Sequence, residues 1–304
     1  MNLALIGYGE VGRILAEDLR AASHGVTAYD VKLGSVAGVP LRAHALVQNV
    51  TLADSHADAV CRTGLVVSAV TASQTVAAAE SCAGALPSGS YFLDFNSASP
   101  GAKIAAAEHV ARAGAYYVEG AVMTSVPPHR IKVPLLLGGP HAAGIAPLLS
   151  ELGFAPTVAS SQLGVASATK MCRSVIIKGL EAMVIESVTT ARHYGVEDAM
   201  FVSLRETFPG IDWGQQAAYF FQRVIAHGRR RAEEMREAAV TVREAGLEPY
   251  SAAGTAERQA WIADLTDEGV FGKRRRKSSA GNSDWRVAAD LILEHLKTSK
   301  QGGA

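Results

Sequence analysis

The chain has 304 residues, of which 48% are hydrophobic and 19% are charged, so it can bury a large core and has room for one large or two ordinary domains. Its 29 basic residues balance its 29 acidic residues, which argues against nucleic acid or a membrane surface as a partner recognised by charge. The three cysteines have no paired spacing, which argues against a disulfide framework or a structural metal site.

The first half of the chain alternates short apolar runs with alanine-rich helical stretches. The predicted strands are LALIG, VTAYD, NVTLA, LVVSAV, YFLDF, AYYVEG and VPLLLGG. Helices are predicted among them at residues 10–22, 72–85, 99–113 and 140–152. Strands that alternate with helices of this length indicate βαβ units, and so a mainly parallel, doubly wound sheet.

The opening strand runs directly into a glycine-rich turn. Gly7, Gly9 and Gly12 form the pattern G-x-G-x-x-G between this strand and the first predicted helix. The first glycine permits the tight turn, the second lets a pyrophosphate approach the backbone, and the third lets the helix pack closely on the sheet. The N–H groups and positive dipole end of the helix suit phosphates. The predicted cofactor-binding residues of this turn are Gly7, Tyr8, Gly9, Glu10, Val11 and Gly12.

A carboxylate at the end of the second predicted strand supports a dinucleotide site. Asp30 lies eighteen residues after Gly12, where it can accept hydrogen bonds from the adenosine ribose. Because a carboxylate there repels the 2′-phosphate of NADP, the predicted cofactor is NAD. Lys32 could reach such a phosphate, which leaves NADP open as the alternative.

Two later strand ends carry small or polar residues suited to ligand contact. Val70 and Thr71, in SAVTASQ, are predicted to pass beside the cofactor. Asn96 and Ser97, in LDFNSASP, can hydrogen-bond a carboxamide or a substrate carboxylate, because ligands bind at the carboxyl ends of strands in such sheets. A helix N-cap is the structural alternative for these polar side chains.

The strand signal stops after about residue 160. Residues 161–195 contain no proline and predict an unusually long helix, and a second long helix is predicted over residues 214–245. We therefore predict a dinucleotide-binding domain over residues 1–160 and an all-α domain for substrate binding and dimerisation over residues 161–304.

Lys170, inside the first long helix, is the candidate acid or base. Lys170, Ser174 and Lys178 recur every four residues, so they share one helix face. The residues around Lys170 are mostly apolar, and burial there could lower the pKa of the lysine toward neutrality. Hydride transfer between a nicotinamide and an alcohol needs such a group to take or give the hydroxyl proton. A lysine whose stem runs along a helix contact is the structural alternative.

Four motifs, in order, resemble those of the β-hydroxyacid dehydrogenase family, which includes relatives of 6-phosphogluconate dehydrogenase and 3-hydroxyisobutyrate dehydrogenase. They are GYGEVG; DFNSASP, similar to D-x-S-T-x-x-P; VEGAVMTSVPP, in the place of D-A-P-V-S-G-G; and GVASATKMCRS, similar to G-x-x-x-x-x-K-x-x-x-N. The resemblance places Lys170 on the catalytic lysine of the family. The second half resembles the helical domain of phosphogluconate-dehydrogenase-like proteins.

The departures from the family pattern concern the substrate. Where the family has Ser-Gly-Gly the chain has Met123, Thr124 and Ser125, and Ser174 stands at the substrate-orienting asparagine. These side chains reshape the pocket, so the resemblance does not imply a small 3-hydroxy acid. The predicted substrate-binding residues are Asn96, Met123, Thr124, Ser125, Ser174 and Lys178.

The chain is therefore expected to have an N-terminal doubly wound (Rossmann) α/β sheet and an all-α C-terminal domain. The expected activity is NAD(P)-dependent oxidation of the hydroxyl of a hydroxy-acid-like or β-hydroxyl alcohol substrate. The alternatives are an imine reductase and a nucleotide-sensing protein without turnover. We also expect a cytoplasmic homodimer whose partner is a small molecule, without nucleic acid, membrane or metal.

Two basic clusters allow more than one interpretation. Arg229, Arg230 and Arg231 could clamp a substrate carboxylate or phosphate, or they could pair with glutamates one helical turn away. The run at residues 273–277 could meet phosphates or lie in a solvated loop.

Overall fold

The computed structural model describes residues 2–272 and 284–301, which form two compact units divided between residues 172 and 173. The domain boundary predicted after residue 160 lies at the end of the last strand of the first unit. The basic run at residues 273–277 lies outside the described residues.

One eight-stranded sheet forms the centre of the first unit. Its strands are β1 (Asn2–Ile6), β2 (Gly25–Tyr29), β3 (Thr51–Leu52), β4 (Leu65–Ser68), β5 (Tyr91–Asp94), β6 (Tyr116–Val122), β7 (Pro134–Gly138) and β8 (Ala155–Ser160). Their order in space is β3-β2-β1-β4-β5-β6-β7-β8. All neighbouring strands are parallel except β6 and β7. The mainly parallel sheet expected from the sequence is confirmed.

Helices cover both faces of this sheet. They are α1 (Glu10–Ala21), α2 (Val39–Gln48), α3 (His56–Val60), α4 (Thr75–Ala83), α5 (Pro100–Arg112), α6 (Val126–His129), α7 (Ala142–Glu151) and the first residues of α8 (Val165–Tyr194). Leu3 and Leu5 of β1 pack on one face with α1, α2 and α7. Ala4 and Ile6 pack on the other face with α3, α4 and α5. Both faces of the central strand are therefore buried, as in doubly wound sheets.

The second unit consists of helices alone among the residues that are described. They are the remainder of α8, α9 (Glu197–Thr207), α10 (Trp213–Glu244), α11 (Tyr250–Asp267) and α12 (Trp285–Gln301). The two long helices predicted from the sequence correspond to α8 and α10. Buried Ile185, Phe221, Ile262 and Trp285 belong to the core of this unit. None of the described helices is both long and apolar enough to cross a lipid bilayer.

Candidate active site

The turn between β1 and α1 needs glycine at two of its three glycine positions. Gly7 has a φ of +93°, and a Cβ on it would lie 2.5 Å from the carbonyl oxygen of Ala69. A Cβ on Gly12 would lie 2.1 Å from the carbonyl oxygen of Gly7. At Gly9, by contrast, a Cβ would meet no atom within 4 Å. The fold thus requires Gly7 and Gly12, whereas Gly9 faces open space.

The open space at Gly9 lies at the N-terminus of α1. Gly9 is the N-cap of this helix, and within the described residues no side chain bonds to the helix N-terminus as a cap. The N–H groups of Glu10, Val11 and Gly12 belong to the first helical turn, which has no carbonyl partners inside the helix. These donors and the positive end of the helix dipole suit the pyrophosphate of a dinucleotide.

Asp30 lies at the carboxyl end of β2, beside the glycine turn. Its Oδ2 accepts the backbone N–H of Tyr8 at 2.9 Å, and its Oδ1 accepts the backbone N–H of Lys32 at 2.9 Å. Each carboxylate oxygen has a further lone pair that can accept a hydroxyl hydrogen. The carboxylate is therefore fixed in place and keeps lone pairs for a further donor, and its binding of a ribose stays a prediction.

The side chain of Tyr8 points into the protein. It is fully buried, and its Oη lies 2.8 Å from Nδ1 of His44. The other ring nitrogen of His44 lies 2.9 Å from a carboxylate oxygen of Glu17. Burial raises the pKa of Tyr8 to about 12. Tyr8 thus offers only its backbone to the turn, and its side chain anchors the turn on α2.

Asn96 joins the ends of β4 and β5. Its Oδ1 accepts the backbone N–H of Val70 at 2.7 Å, and its Nδ2 donates to Oγ of Ser68 at 3.1 Å. The side chain is 3% exposed. Thr71, which follows Val70, is exposed. Asn96 therefore holds the loop that carries Val70 and Thr71, a role different from the ligand contact predicted for it.

Ser97 and Lys170 meet at these strand ends. The Nζ of Lys170, near the start of α8, donates a hydrogen bond to Oγ of Ser97, and both residues are half-buried. Ser97 follows Asn96, which holds the loop against which Gly7 packs. The structure thus brings the predicted catalytic lysine to the same edge of the sheet as the glycine turn.

A buried ionic network supports the loop that contains Ser97. Asp94 is fully buried, and its Oδ1 lies 2.9 Å from Nζ of Lys103, which is also fully buried. Tyr117 donates to Oδ2 of Asp94 at 2.6 Å, and the backbone N–H of Asn96 donates to Oδ1 at 2.8 Å. Burial and the charge of Asp94 hold the pKa of Tyr117 well above its usual range.

A second buried carboxylate lies on the neighbouring strand. Glu119 of β6 is fully buried, and its two oxygens accept the backbone N–H groups of Gly164 and Ser167 at the start of α8. Asp94, Lys103, Tyr117 and Glu119 were not among the residues predicted from the sequence. For Asp94, Tyr117 and Glu119 the available signal was an ionisable residue within an apolar strand, since such residues are seldom buried without a partner, whereas Lys103 lies on α5.

The loop after β6 carries three of the predicted substrate-binding residues. Thr124 is exposed, and Met123 and Ser125 are half-buried. The backbone N–H of Met123 donates to the carbonyl of Pro134, which ties the start of the loop to β7. All three side chains thus stay at least partly exposed, while a backbone hydrogen bond holds the start of the loop.

Arg130 anchors the far end of this loop on α1. Its Nε donates to Oδ1 of Asp18 at 2.8 Å, and a terminal nitrogen donates to Oε2 of Glu17 at 2.6 Å. The backbone of Arg130 has a φ of +54°, which is uncommon for a residue with a side chain. The loop after β6 is therefore fastened to the helix that follows the glycine turn.

The remaining predicted residues belong to the second unit. Nζ of Lys178 donates to Oγ of Ser174 at 3.0 Å and lies 2.9 Å from Oε2 of Glu234. Lys178 and Ser174 are both buried. The lysine is thus held by side chains of its own unit.

The arginines of α10 pair with acidic residues on other helices. Arg231 forms a buried bidentate ion pair with Glu181 of α8. Arg229 lies 2.8 Å from Asp264 and 2.6 Å from Asp267, both on α11. Arg229 and Arg231 thus form ion pairs between helices, whereas the ion-pair interpretation of the sequence involved glutamates one turn away on the same helix.

Two family models match the chain. Residues 2–153 match the NAD binding domain of 6-phosphogluconate dehydrogenase, and residues 191–262 match a domain of unknown function, DUF1932. No curated protein matches the chain.

Several solved structures are similar over nearly the whole chain. A conserved hypothetical protein from Sinorhizobium meliloti is 34% identical, with 97% of this chain and 96% of that chain covered and a TM-score of 0.75. A conserved protein of unknown function, described as similar to 3-hydroxyacid dehydrogenases, is 25% identical, with 88% and 99% covered and a TM-score of 0.67.

Two groups of enzymes share the fold at lower identity. The 3-hydroxyisobutyrate dehydrogenase of Mycobacterium tuberculosis is 14% identical, with 96% of this chain and 98% of that chain covered and a TM-score of 0.66. An imine reductase from Myxococcus stipitatus, in complex with NAD⁺, is 18% identical, with 96% and 99% covered and a TM-score of 0.55.

Proposed function

The chain belongs to the β-hydroxyacid dehydrogenase-like family, and we therefore propose that it oxidises the hydroxyl group of a hydroxy-acid-like or β-hydroxyl alcohol substrate. The family supports a dehydrogenase-like oxidoreductase that uses a nicotinamide cofactor. One observation supports oxidation of a hydroxyl group in particular. It is the contact of Lys170 with Ser97 at the strand ends that also hold the glycine turn.

The cofactor we propose is NAD. The N–H groups at the start of α1 bind the pyrophosphate in the open space at Gly9, and the carboxylate of Asp30 binds the adenosine ribose. Val70 and Thr71 would contact the nicotinamide half. A 2′-phosphate would meet the negative charge of Asp30, which disfavours NADP. When bound, the nicotinamide ring supplies the acceptor for the hydride that leaves the substrate carbon.

Lys170 is the proposed general acid or base. Its Nζ takes the proton of the substrate hydroxyl while the hydride leaves the carbon, and it returns this proton in the reverse direction. Oγ of Ser97 holds Nζ in place. Lysine can do this because its ammonium group has a titratable proton, which the guanidinium group of arginine cannot release in proteins.

Substrate orientation is proposed for residues of both units, each considered within its own unit. We propose that Met123, Thr124 and Ser125 line the substrate side of the loop after β6. Asn96 acts through the loop that it holds, and Ser174 with Lys178 is the contribution proposed for the second unit. Met123, Thr124, Ser125 and Ser174 differ from the family pattern, so the substrate is expected to differ as well.

A cofactor-reduction screen tests this function. NAD and NADP are offered with 3-hydroxy acids, sugar acids and aryl alcohols that carry a β-hydroxyl, using wild type, Lys170→Ala and the surface control Lys297→Ala. We expect wild type and Lys297→Ala to reduce NAD with one substrate class. Lys170→Ala should lose about 10²- to 10⁴-fold in kcat while it still binds the cofactor.

Two outcomes would favour the alternatives. Turnover of a cyclic imine without oxidation of any alcohol would identify an imine reductase. Cofactor binding without turnover of any compound, with a Lys170→Ala variant that behaves as wild type, would indicate a nucleotide-sensing protein.

We also propose that the second unit associates with a second copy of the chain. Ile176, Met183 and Tyr194 of α8 are each more than half exposed, which is unusual for large apolar residues on one helix. Met183 and Tyr194 line an open groove of about 630 Å³ between α8 and α11. Light scattering should give a dimer mass for wild type and for Leu46→Glu, a control on α2, and a monomer mass for Met183→Glu.

A further inference from the structure

Glu119 is a fully buried carboxylate to which the proposed reaction gives no role. Its Oε2 accepts the N–H of Gly164 at 2.8 Å, and its Oε1 accepts the N–H of Ser167. Gly164 directly precedes α8, and Ser167 lies in its first turn, where the N–H groups have no carbonyl partners within the helix. A strand residue therefore caps the helix that carries Lys170.

This cap lies close to Lys170 along the helix. Ser167 and Lys170 are three residues apart, so they are neighbours on the helix surface, one turn from each other. The first turn of a helix frays when its N–H groups lack partners. By holding the N–H of Ser167, Glu119 fixes the backbone directly before the lysine.

The partner of Lys170 is fixed from the adjacent strand. Asp94 lies opposite Glu119 in the register of β5 and β6. The carboxylate of Asp94 accepts the N–H of Asn96, which begins the loop with Ser97. Two neighbouring carboxylates thus hold the two halves of the contact between Ser97 and Lys170, one through a loop and the other through a helix.

We propose that Glu119 is a positioning residue for Lys170, which it holds on Oγ of Ser97 by capping α8. Its effect on turnover rests on the proposed function, whereas its effect on the lysine does not. A carboxylate suits the task because it presents two acceptor oxygens to two N–H groups and places negative charge at the positive end of the helix. A glutamine amide presents one acceptor, and its NH₂ would face a donor.

The kinetic test compares Glu119→Gln with Glu119→Asp, which keeps the charge on a shorter side chain. The matched control is Glu197→Gln, which removes a buried carboxylate that pairs with Arg192 near the other end of α8. We expect Glu119→Gln to lower kcat by about ten- to a hundredfold, with KM for the cofactor changed by less than about twofold. Glu119→Asp should recover part of this loss.

The pH profile separates positioning from loss of stability. In Glu119→Gln the pH at which kcat/KM rises should move, because the lysine loses its fixed partner. In Glu197→Gln the midpoint of thermal unfolding falls but the profile stays in place. If Glu119→Gln and Glu197→Gln lower stability alike and both keep the wild-type kcat and profile, the proposal is wrong.

A measurement on the lysine itself needs no activity. Acetic anhydride at low concentration acetylates accessible amines, and peptide mass spectrometry gives the rate at Lys170 relative to exposed Lys297 in the same sample. We expect this ratio to rise at least about threefold in Glu119→Gln and to stay at the wild-type value in Glu197→Gln.

This readout keeps the proposal distinct from the proposed function. An unchanged ratio in Glu119→Gln overturns the positioning role, even if the protein is a dehydrogenase. A raised ratio supports the role even if wild type turns over no substrate in the screen. Should Glu119→Gln fail to fold, Glu119→Asp decides by the same ratio, because the shorter carboxylate reaches the helix less well.

Discussion

The backbone N–H of Tyr8 lies 2.9 Å from Oδ2 of Asp30, which joins the glycine turn to the end of the second strand. The carboxylate that is proposed to recognise the ribose therefore also fixes the turn that is proposed to bind the pyrophosphate. The two parts of the proposed cofactor site are thus coupled through one hydrogen bond.

The choice between NAD and NADP should depend on the charge of Asp30. Asp30→Asn keeps an oxygen that can accept the N–H of Tyr8 but removes the charge that repels a 2′-phosphate. We expect the ratio of Kd for NADP to Kd for NAD, measured by calorimetry, to fall about tenfold or more. A ratio equal to that of wild type would show that Asp30 does not set the preference.

Gly9 and Gly12 should respond differently to alanine. Gly9→Ala places a methyl group where no protein atom lies within 4 Å, so the fold should tolerate it while NAD affinity falls about ten- to a hundredfold. In Gly12→Ala the methyl group would overlap the carbonyl of Gly7, so we expect a loss of about 2 kcal/mol or more in the free energy of unfolding. Calorimetry and urea unfolding give the two quantities, and a Gly9→Ala variant with wild-type affinity contradicts the assignment of this space.

The backbone at Arg130 is strained, and two variants can separate this strain from the ion pairs. Arg130→Ala and Arg130→Gly both lose the contacts with Glu17 and Asp18. At a φ of +54° alanine keeps the strain and glycine relieves it. We expect the glycine variant to be more stable by about 1 kcal/mol in urea unfolding, the reverse of the usual order of these residues.

The contribution of Glu197 to stability should disappear in acid. The hydrogen bond from Arg192 holds the pKa of Glu197 below its ordinary value of 4.5. A carboxyl group with a lowered pKa stabilises the fold above the pKa of the unfolded state and stops doing so as pH falls through the folded value. Wild type should therefore unfold at a higher temperature than Glu197→Gln at neutral pH, with a gap that closes below pH 4.5. A difference in unfolding temperature that persists in acid would show that Glu197 stabilises the fold by packing and not by its charge.

The parts of the site that could be predicted from sequence are those written in short local strings. Gly7, Gly9 and Gly12 lie within six residues, and their spacing alone predicts a strand, a turn and a helix start. Asp30 was found because the length of one βαβ unit fixes where the second strand ends. The sequence also predicted a strand end near Asn96, although the side-chain amide of this residue forms its hydrogen bonds with Val70 and Ser68 of the protein itself.

The parts that were missed depend on partners distant in sequence. Glu119 meets the N–H of Ser167 across 48 residues, and His44 meets Tyr8 across 36. No spacing rule applies to such pairs, because the fold brings them together. Strand β8 was missed for another reason. It is an edge strand whose residues are mostly exposed, so it lacks the apolar run of a buried strand.

The position of β1 inside the sheet has a consequence for synthesis of the chain. This first strand lies between β2 and β4, and Gly7 packs on the backbone at Ala69. The ribosome therefore releases β1 well before its partner on one side exists. The glycine turn can reach its final shape only after β4 has emerged, some sixty residues later. During translation the first residues of the proposed cofactor site therefore stay unfolded and accessible to chaperones and proteases until then.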